Sequence, residues 1–267
     1  MISRRTGAML TGALRFTAAG GLALWLSAGP ALGAGLQSPF DIAARRTEIG
    51  RAIGAWPCAE PPAPIHDVLP DVFYSDAAAS IVDPARYAAR QAAVEPMQRF
   101  LAGVVRAADG WLESRPPQAE AARCAMAWLE AWAQADAMLG RVTRQGGYER
   151  KWTLAGLALA YLKLRDAPGL DAAAKGRIEG WLRRLMVEVR TYYDQPPGNG
   201  MSDRANNHLS WAGLAVMATA VAVDDRAMFD WALDKLRFAL GQIGKDGTLP
   251  RELMRAGRAL HLSLIHI

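Results

Sequence analysis

Two stretches, Leu154–Leu164 (LAGLALAYLKL) and Ala212–Val223 (AGLAVMATAVAV), are apolar on nearly all sides of a helix. Neither can lie on a surface, so each must be surrounded by protein. The second is only about 12 residues long, short of the roughly 20 that a membrane-spanning helix needs. The rest of the chain must therefore supply the packing neighbours. Beyond residue 33 apolar residues recur at helical spacing almost everywhere and strand-like alternation is nearly absent, which predicts an all-α fold. The periodicity places helices at about Pro84–Arg115, Gln118–Leu139, Gly147–Leu164, Ala172–Tyr193, Asn206–Val223, Arg226–Gly244 and from Pro250 onward. Pro116-Pro117, Gly140 and the stretch Gln195-Pro196-Pro197-Gly198-Asn199-Gly200 punctuate them. Pro96 is expected to kink or split the first. With 267 residues and 51% of them hydrophobic, the chain can bury a full core in one domain, at most two.

Two kinds of helix alternate. Ala172–Tyr193 and Arg226–Gly244 are amphipathic, with charges such as Arg183, Arg184, Glu188, Asp230, Asp234 and Lys235 on one face, and fit an outer position. Trp152 and Trp211 each precede an Ala-Gly-Leu-Ala run, while Trp181 and Trp231 sit inside the amphipathic partners, a weak repeat of a helical hairpin. Hairpins of one apolar and one amphipathic helix, stacked sideways, give a curved α/α toroid. A plain bundle or a solenoid stays open on the residues alone. The Pro-rich segment from Cys58 to Asp83 shows no helical period before Ala77 and reads as a binding loop or lid, or as an arm packed on the outside.

Residues 1–33 read as a secretory signal: Arg4 and Arg5 form a basic start, Gly20–Ser27 a short apolar core, and Ala31-Leu32-Gly33 a small-residue cleavage site. An uncleaved anchor is the alternative. The protein is thus expected in the periplasm or secreted, as a signal peptide (1–33) and one domain (34–267), with no stable membrane insertion once the signal is cut. The formal charge of +5 includes Arg4, Arg5 and Arg15 in a stretch without Asp or Glu, so removing it leaves 5 − 3 = +2. Global attraction to nucleic acid is not supported by so small a charge; an anionic ligand needs a local basic site. Cys58 and Cys124 are an even pair in an oxidising compartment and suggest a disulfide, two separate buried thiols being the alternative. Two cysteines and scattered histidines make structural zinc unlikely, so no metal site is expected.

Three clusters could carry chemistry. Asn206-Asn207-His208, followed by Trp211, opens one apolar helix; Asn206 is a natural N-cap, whereas Asn207 and His208 can project into a cavity. Tyr148 and Trp152, four apart on the other apolar helix, share a face and present two rings suited to stacking on sugars. Between them Arg150 and Lys151 read as solvated neighbours, Lys151 being kept among the candidate substrate contacts. Arg251, Arg255 and Arg258 stand at i, i+4 and i+7 and would form a cationic stripe able to grip carboxylates with two prongs. Gly-x-Ser-x-Gly, His-Glu-x-x-His, phosphate-loop and dinucleotide signatures are missing. The surviving groups suit cofactor-free chemistry on an anionic sugar polymer.

The series Tyr148-x-x-x-Trp152, Asn206-Asn207-His208-x-x-Trp211, Phe229-x-Trp231-Ala232 and Asp246-Gly247-x-x-x-x-Glu252-x-x-Arg255-x-x-x-x-Leu260-His261 resembles the alginate lyase family, from about Pro96 to His261. The resemblance implies an incomplete α/α toroid that cleaves poly-mannuronate by β-elimination: the C5 proton of a uronate is removed, the 4-O-glycosidic bond breaks, and an unsaturated uronate end remains. Donors aimed at the carboxylate stabilise the developing dianion; by analogy with the family Asn207 and Arg255 take that part. His208 is the candidate base at C5, with carboxylate neutralisation as its other possible task. Tyr148, Lys151, Trp152, Trp211, Arg251 and Arg258 are the candidate contacts with alginate.

In the family a tyrosine seven residues after the arginine protonates the leaving oxygen and in some accounts also acts as base. That position here is Leu262, which has no proton to give. The ending Leu-Ser-Leu-Ile-His-Ile is accordingly read as non-native (262–267) and the chain as truncated, with a cost to its activity. Two other readings follow: a lyase on another polyuronate, and a non-catalytic polysaccharide-binding protein of the periplasm. A hydrolase would need two carboxylates flanking the bond, and none is placed beside His208 in these motifs.

Overall fold

The computed structural model describes residues 35–40, 56–77, 79, 81–114, 118–195 and 203–250. The signal reading (1–33), the arginine stripe, Leu262 and the helix expected from Pro250 onward fall outside or run beyond these residues. Six α-helices carry the fold: α1 (Pro84–Glu113), α2 (Ala119–Gln134), α3 (Arg144–Leu164), α4 (Ala172–Asp194), α5 (Asn207–Ala222) and α6 (Arg226–Leu240). Among the described residues there are no strands, only isolated bridges at Val68–Val142 and Tyr74–Val82. None of these helices is long and apolar enough to cross a membrane.

Local chemistry sets the starts. Asp83, Thr143, Asp171, Asn206 and Asp225 each accept a hydrogen bond from the first turn of the helix that follows, and Pro84 sits where a helix tolerates proline. α1 runs through Pro96 without interruption, so the expected split does not occur. α3 begins at Arg144, earlier than the Gly147 expected, because the Thr143 hydroxyl caps Gly146 N–H at 3.0 Å. α2 ends at Gln134 instead of Leu139. Asp136 (φ 47°) and Met138 (φ 63°) turn left-handed there, and Met138 N–H donates to the Ile65 carbonyl. Met138 is buried as its apolar character demands, but in a turn. α6 ends at Leu240, short of Gly244, with Gly241 as its cap.

α3 packs between α1 and α5, and the amphipathic helices pack against these, α2 on α1, and α4 and α6 on α5. Both apolar segments are enclosed as required: α3 and α5 are buried around most of their circumference. Small residues allow the close approach. A Cβ on Gly156 would come within 2.8 Å of Leu101, and one on Gly213 within 3.3 Å of Leu236. Phe100 of α1 stacks on Trp132 of α2 at 3.8 Å, and Trp181 of α4 donates from Nε1 to the Ala137 carbonyl at 2.8 Å. Such aromatic pairs add about 1 kcal/mol beyond the area they bury.

The segment before α1 is an extended arm. Its first half lies along α2 and the turn after it: Trp128 Nε1 donates to Ala59 O (2.7 Å), Trp132 Nε1 to Pro62 O (2.9 Å) and Val68 N–H to Arg141 O (2.9 Å). The Asp67 carboxylate takes both Nε and Nη2 of Arg141. The Cys58–Cys124 disulfide fixes the arm to α2, closing a loop over a separation of 66 residues. Such a bridge contributes roughly 2–4 kcal/mol by restricting the unfolded chain.

Candidate functional site

The first turns of α1, α3 and α5 meet around a cavity of about 470 Å³. α1 supplies Tyr87 and Arg90, α3 supplies Arg144, Gln145, Tyr148 and Trp152, and α5 supplies Asn207, His208 and Trp211. The opposite wall is the second half of the arm, with Val72, Phe73, Tyr74, Ala79 and Val82. The Pro-rich segment therefore divides: Cys58–Pro70 packs along α2 and the turn after it, and Val72, Phe73, Tyr74, Ala79 and Val82 line the cavity. Three helices beginning at one place turn their positive ends toward it, which favours an anionic occupant.

On the helical wall the rings are held tightly. Tyr148 stacks on His208 at 4.0 Å with 26° between planes, and Trp152 flanks the same imidazole at 5.9 Å. The Tyr148 hydroxyl accepts from Arg144 Nε (2.8 Å) and donates to Asp203 Oδ2 (2.6 Å), which also takes the Tyr192 hydroxyl at 2.6 Å. Burial pushes the Tyr148 phenol up, and the hydrogen bond to Asp203 adds to it. Burial acts against the Asp203 charge, yet the two tyrosine hydroxyls and then Arg144 and Arg204 hold its carboxyl below the usual range. Asn206 caps α5 as expected, its Oδ1 accepting from His208 N–H at 2.9 Å.

Arg90 and Glu149 form a buried pair: Arg90 Nε and Nη2 reach Glu149 Oε1 at 2.9 and 2.5 Å, and Gln145 Nε2 donates to the same oxygen at 2.8 Å. The Arg90 guanidinium also lies 5.2 Å from the Phe73 ring and 5.9 Å from that of Tyr87, so a helix cation supports the aromatic part of the arm.

Of the residues singled out in the sequence, Tyr148, Trp152, Asn207, His208 and Trp211 come together at this cavity. Lys151 does not join them at the surface. The solvated position expected for it and Arg150 is corrected here: Lys151 is 0% and Arg150 4% exposed. One turn of α3 carries both, but Lys151 points beneath His208, with Nζ 3.1 Å from Nδ1, and Arg150 reaches the Met138 carbonyl. The helix is covered on nearly every side, which leaves even a charged side chain nowhere to go but inward. Arg251, Arg255 and Arg258 lie outside the described residues. Sequence reasoning missed Arg90, Arg144, Gln145, Tyr192 and Asp203. Tyr148 and Arg144 are four apart at the start of one helix, a signal that could have found Arg144; nothing in the loop before α5 marks Asp203.

The chain matches the alginate lyase family model over residues 69–264. A polysaccharide lyase of Stenotrophomonas maltophilia is 36% identical over 230 residues, covering 85% of this chain and 67% of that one. An alginate lyase of Pseudomonas fluorescens is 39% identical over 153 residues, 55% of this chain and 39% of the relative, and one of Azotobacter vinelandii is 36% identical over 191 residues, 70% and 50%. The chain thus spans about two thirds of the first of these and half or less of the others. Alginate lyase A1-III of Sphingomonas species A1 has the same α/α toroid fold, with a TM-score of 0.68 at 24% identity over 83% of this chain and 65% of that one. A variant of it complexed with a tetrasaccharide superposes with a TM-score of 0.71 at 25% identity, with the same coverage. Matched over most of its length by one family model, and over 85% of it by a relative more than a third identical, the chain belongs to the alginate lyase family.

Proposed function

We propose that this protein is a polysaccharide lyase that cleaves mannuronate-rich alginate by β-elimination at the 4-O-glycosidic bond. The observation that carries the reading is the joint placement of Asn207, His208 and Trp211 with Tyr148 and Trp152 at one cavity where three helix N-termini converge. Flat rings suit pyranose faces, and amide and imidazole donors suit a uronate carboxylate. β-Elimination is limited by the weak acidity of the C5 proton beside that carboxylate. Groups that neutralise the carboxylate stabilise the dianion that develops as the proton leaves. Asn207 and Arg255 are assigned to that end of the sugar, and His208 to the C5 proton as base or to the carboxylate as a second donor. Trp152, Trp211 and Tyr148 are assigned to the sugar rings on either side.

The signal-like residues 1–33 and the Cys58–Cys124 disulfide support export to the periplasm or beyond, where such a polymer is met. The test is to incubate the chain with poly-mannuronate, poly-guluronate and another polyuronate and follow the ultraviolet absorbance of the conjugated unsaturated end. Absorbance rising fastest on poly-mannuronate is expected. New reducing ends without absorbance would replace the lyase by a hydrolase, and binding without either would leave a polysaccharide-binding protein.

A further inference from the structure

Lys151 is enclosed completely, yet its ammonium meets a matching set of acceptors. Nζ lies 2.8 Å from the Tyr193 hydroxyl, 3.1 Å from His208 Nδ1 and 3.2 Å from the His208 carbonyl oxygen. The rings of Tyr148, Trp152 and Tyr193 surround it at 5.0, 5.2 and 5.2 Å. Held as an ammonium, the group has three N–H donors for these three atoms, and the aromatic faces supply the negative potential that a buried cation needs. The titratable groups around it are Tyr148 and Glu149 on α3, Tyr193 on α4, His208 on α5 and Asp203 in the loop before α5. Burial draws the Lys151 proton affinity well below the ordinary lysine value, and the charges of Asp203 and Glu149 act against that loss.

We infer that Lys151 is a positioning residue that fixes the tautomer of His208: by donating to Nδ1 it places the ring proton on Nε2. A ring nitrogen that accepts from an ammonium has no proton of its own, so in the neutral imidazole the other nitrogen must carry it. The imidazole is meanwhile stacked on Tyr148, flanked by Trp152 and anchored through its backbone N–H to Asn206. Its position and its proton are therefore both set before any ligand arrives. His208 lines the cavity, and a ring that carries its proton on Nε2 suits donation to a uronate carboxylate and not the removal of a C5 proton. This deepens the lyase reading and rests on it: of the two tasks open to His208, neutralising the carboxylate is the one that Lys151 prepares.

The experiment is nitrogen-15 NMR of histidine-labelled full chain, with the His208 signals assigned by their loss in His208→Gln. The wild type should show Nε2 protonated and Nδ1 bare at neutral pH. In Lys151→Met the preference should relax toward Nδ1–H, and kcat on poly-mannuronate should fall at least about tenfold with KM changed less. A wild-type ring protonated on Nδ1 overturns the proposal. So does a Lys151→Met protein that keeps the Nε2–H ring, whatever its turnover. If Lys151→Met does not fold, as judged by near-ultraviolet circular dichroism, the wild-type spectrum decides alone. Failure of the lyase reading is seen separately, as absence of unsaturated product from the wild type, and leaves the tautomer measurement intact.

Discussion

The two walls of the cavity are built differently. On the helical side the central rings and charges are braced: His208 against Tyr148 and Trp152, Tyr148 by Arg144 and Asp203, Glu149 by Arg90 and Gln145. On the arm side Val72 is 47% and Val82 44% exposed, and the backbone is tied to itself through bonds such as Ser75 N–H to Ile81 O and Asp83 N–H to Phe73 O. One wall has fixed geometry and the other supplies covering surface. Chemistry that depends on sub-ångström placement belongs on the first, whereas contacts that only add binding can be made by the second.

If that division is right, the largest effect should come from the helical wall. His208→Ala should lower turnover at least about 100-fold with little change in melting temperature; near-normal turnover would remove the residue from the reaction and break the contrast. Next comes the one covalent anchor of the arm. Replacing Cys58 and Cys124 together by serine should reduce stability by roughly 2–4 kcal/mol in denaturant titration, while kcat changes less than about threefold because the bridge is on the far half of the arm.

Asp203→Asn should cost about 2 kcal/mol, since two tyrosine hydroxyls lose a charged acceptor. It also carries a pH signature. The folded Asp203 carboxyl sits below its usual value, so its stabilisation is complete above the unfolded value of about 3.9 and is lost as pH falls through the lower folded value. Acid unfolding of the asparagine variant should therefore be less steep below about pH 4 than that of the wild type; identical slopes would show that Asp203 is not paired in solution. The smallest change is expected on the arm. Phe73→Ala should raise KM a few-fold, about three to ten, with kcat within about twofold and stability nearly unchanged. A kcat loss comparable with that of His208→Ala would mean that the arm, too, sets geometry.

Much of the helical wall was legible. Its helices are long and periodic, and Asn206-Asn207-His208 and Tyr148-x-x-x-Trp152 announce themselves as polar and aromatic residues at the start of apolar runs. What escaped is what depends on partners distant in sequence. The apolar period continues through Met138 and Leu139, so nothing local shows that the helix stops at Gln134 to let Met138 pair with Ile65. Lys151 looks like any surface lysine until α4 and α5 close over it, and Asp203 matters only because Tyr148 and Tyr192 reach it from two helices. The arm illustrates the same limit: proline content showed that it is irregular, while its division into an outer and a cavity half is set by where Arg141 and Thr143 clip it.

That clipping has a kinetic side. Thr143 Oγ1 donates to the Pro70 carbonyl at 2.5 Å, and Asp83 at the other end caps α1. The stretch between them is a short loop with both ends fixed, so Val72, Phe73, Tyr74, Ala79 and Val82 face the cavity at an effective concentration set by loop length and not by any affinity of their own. A ligand entering the cavity thus finds its second wall already present, and most of the entropic cost of bringing that wall to it was met when the chain folded.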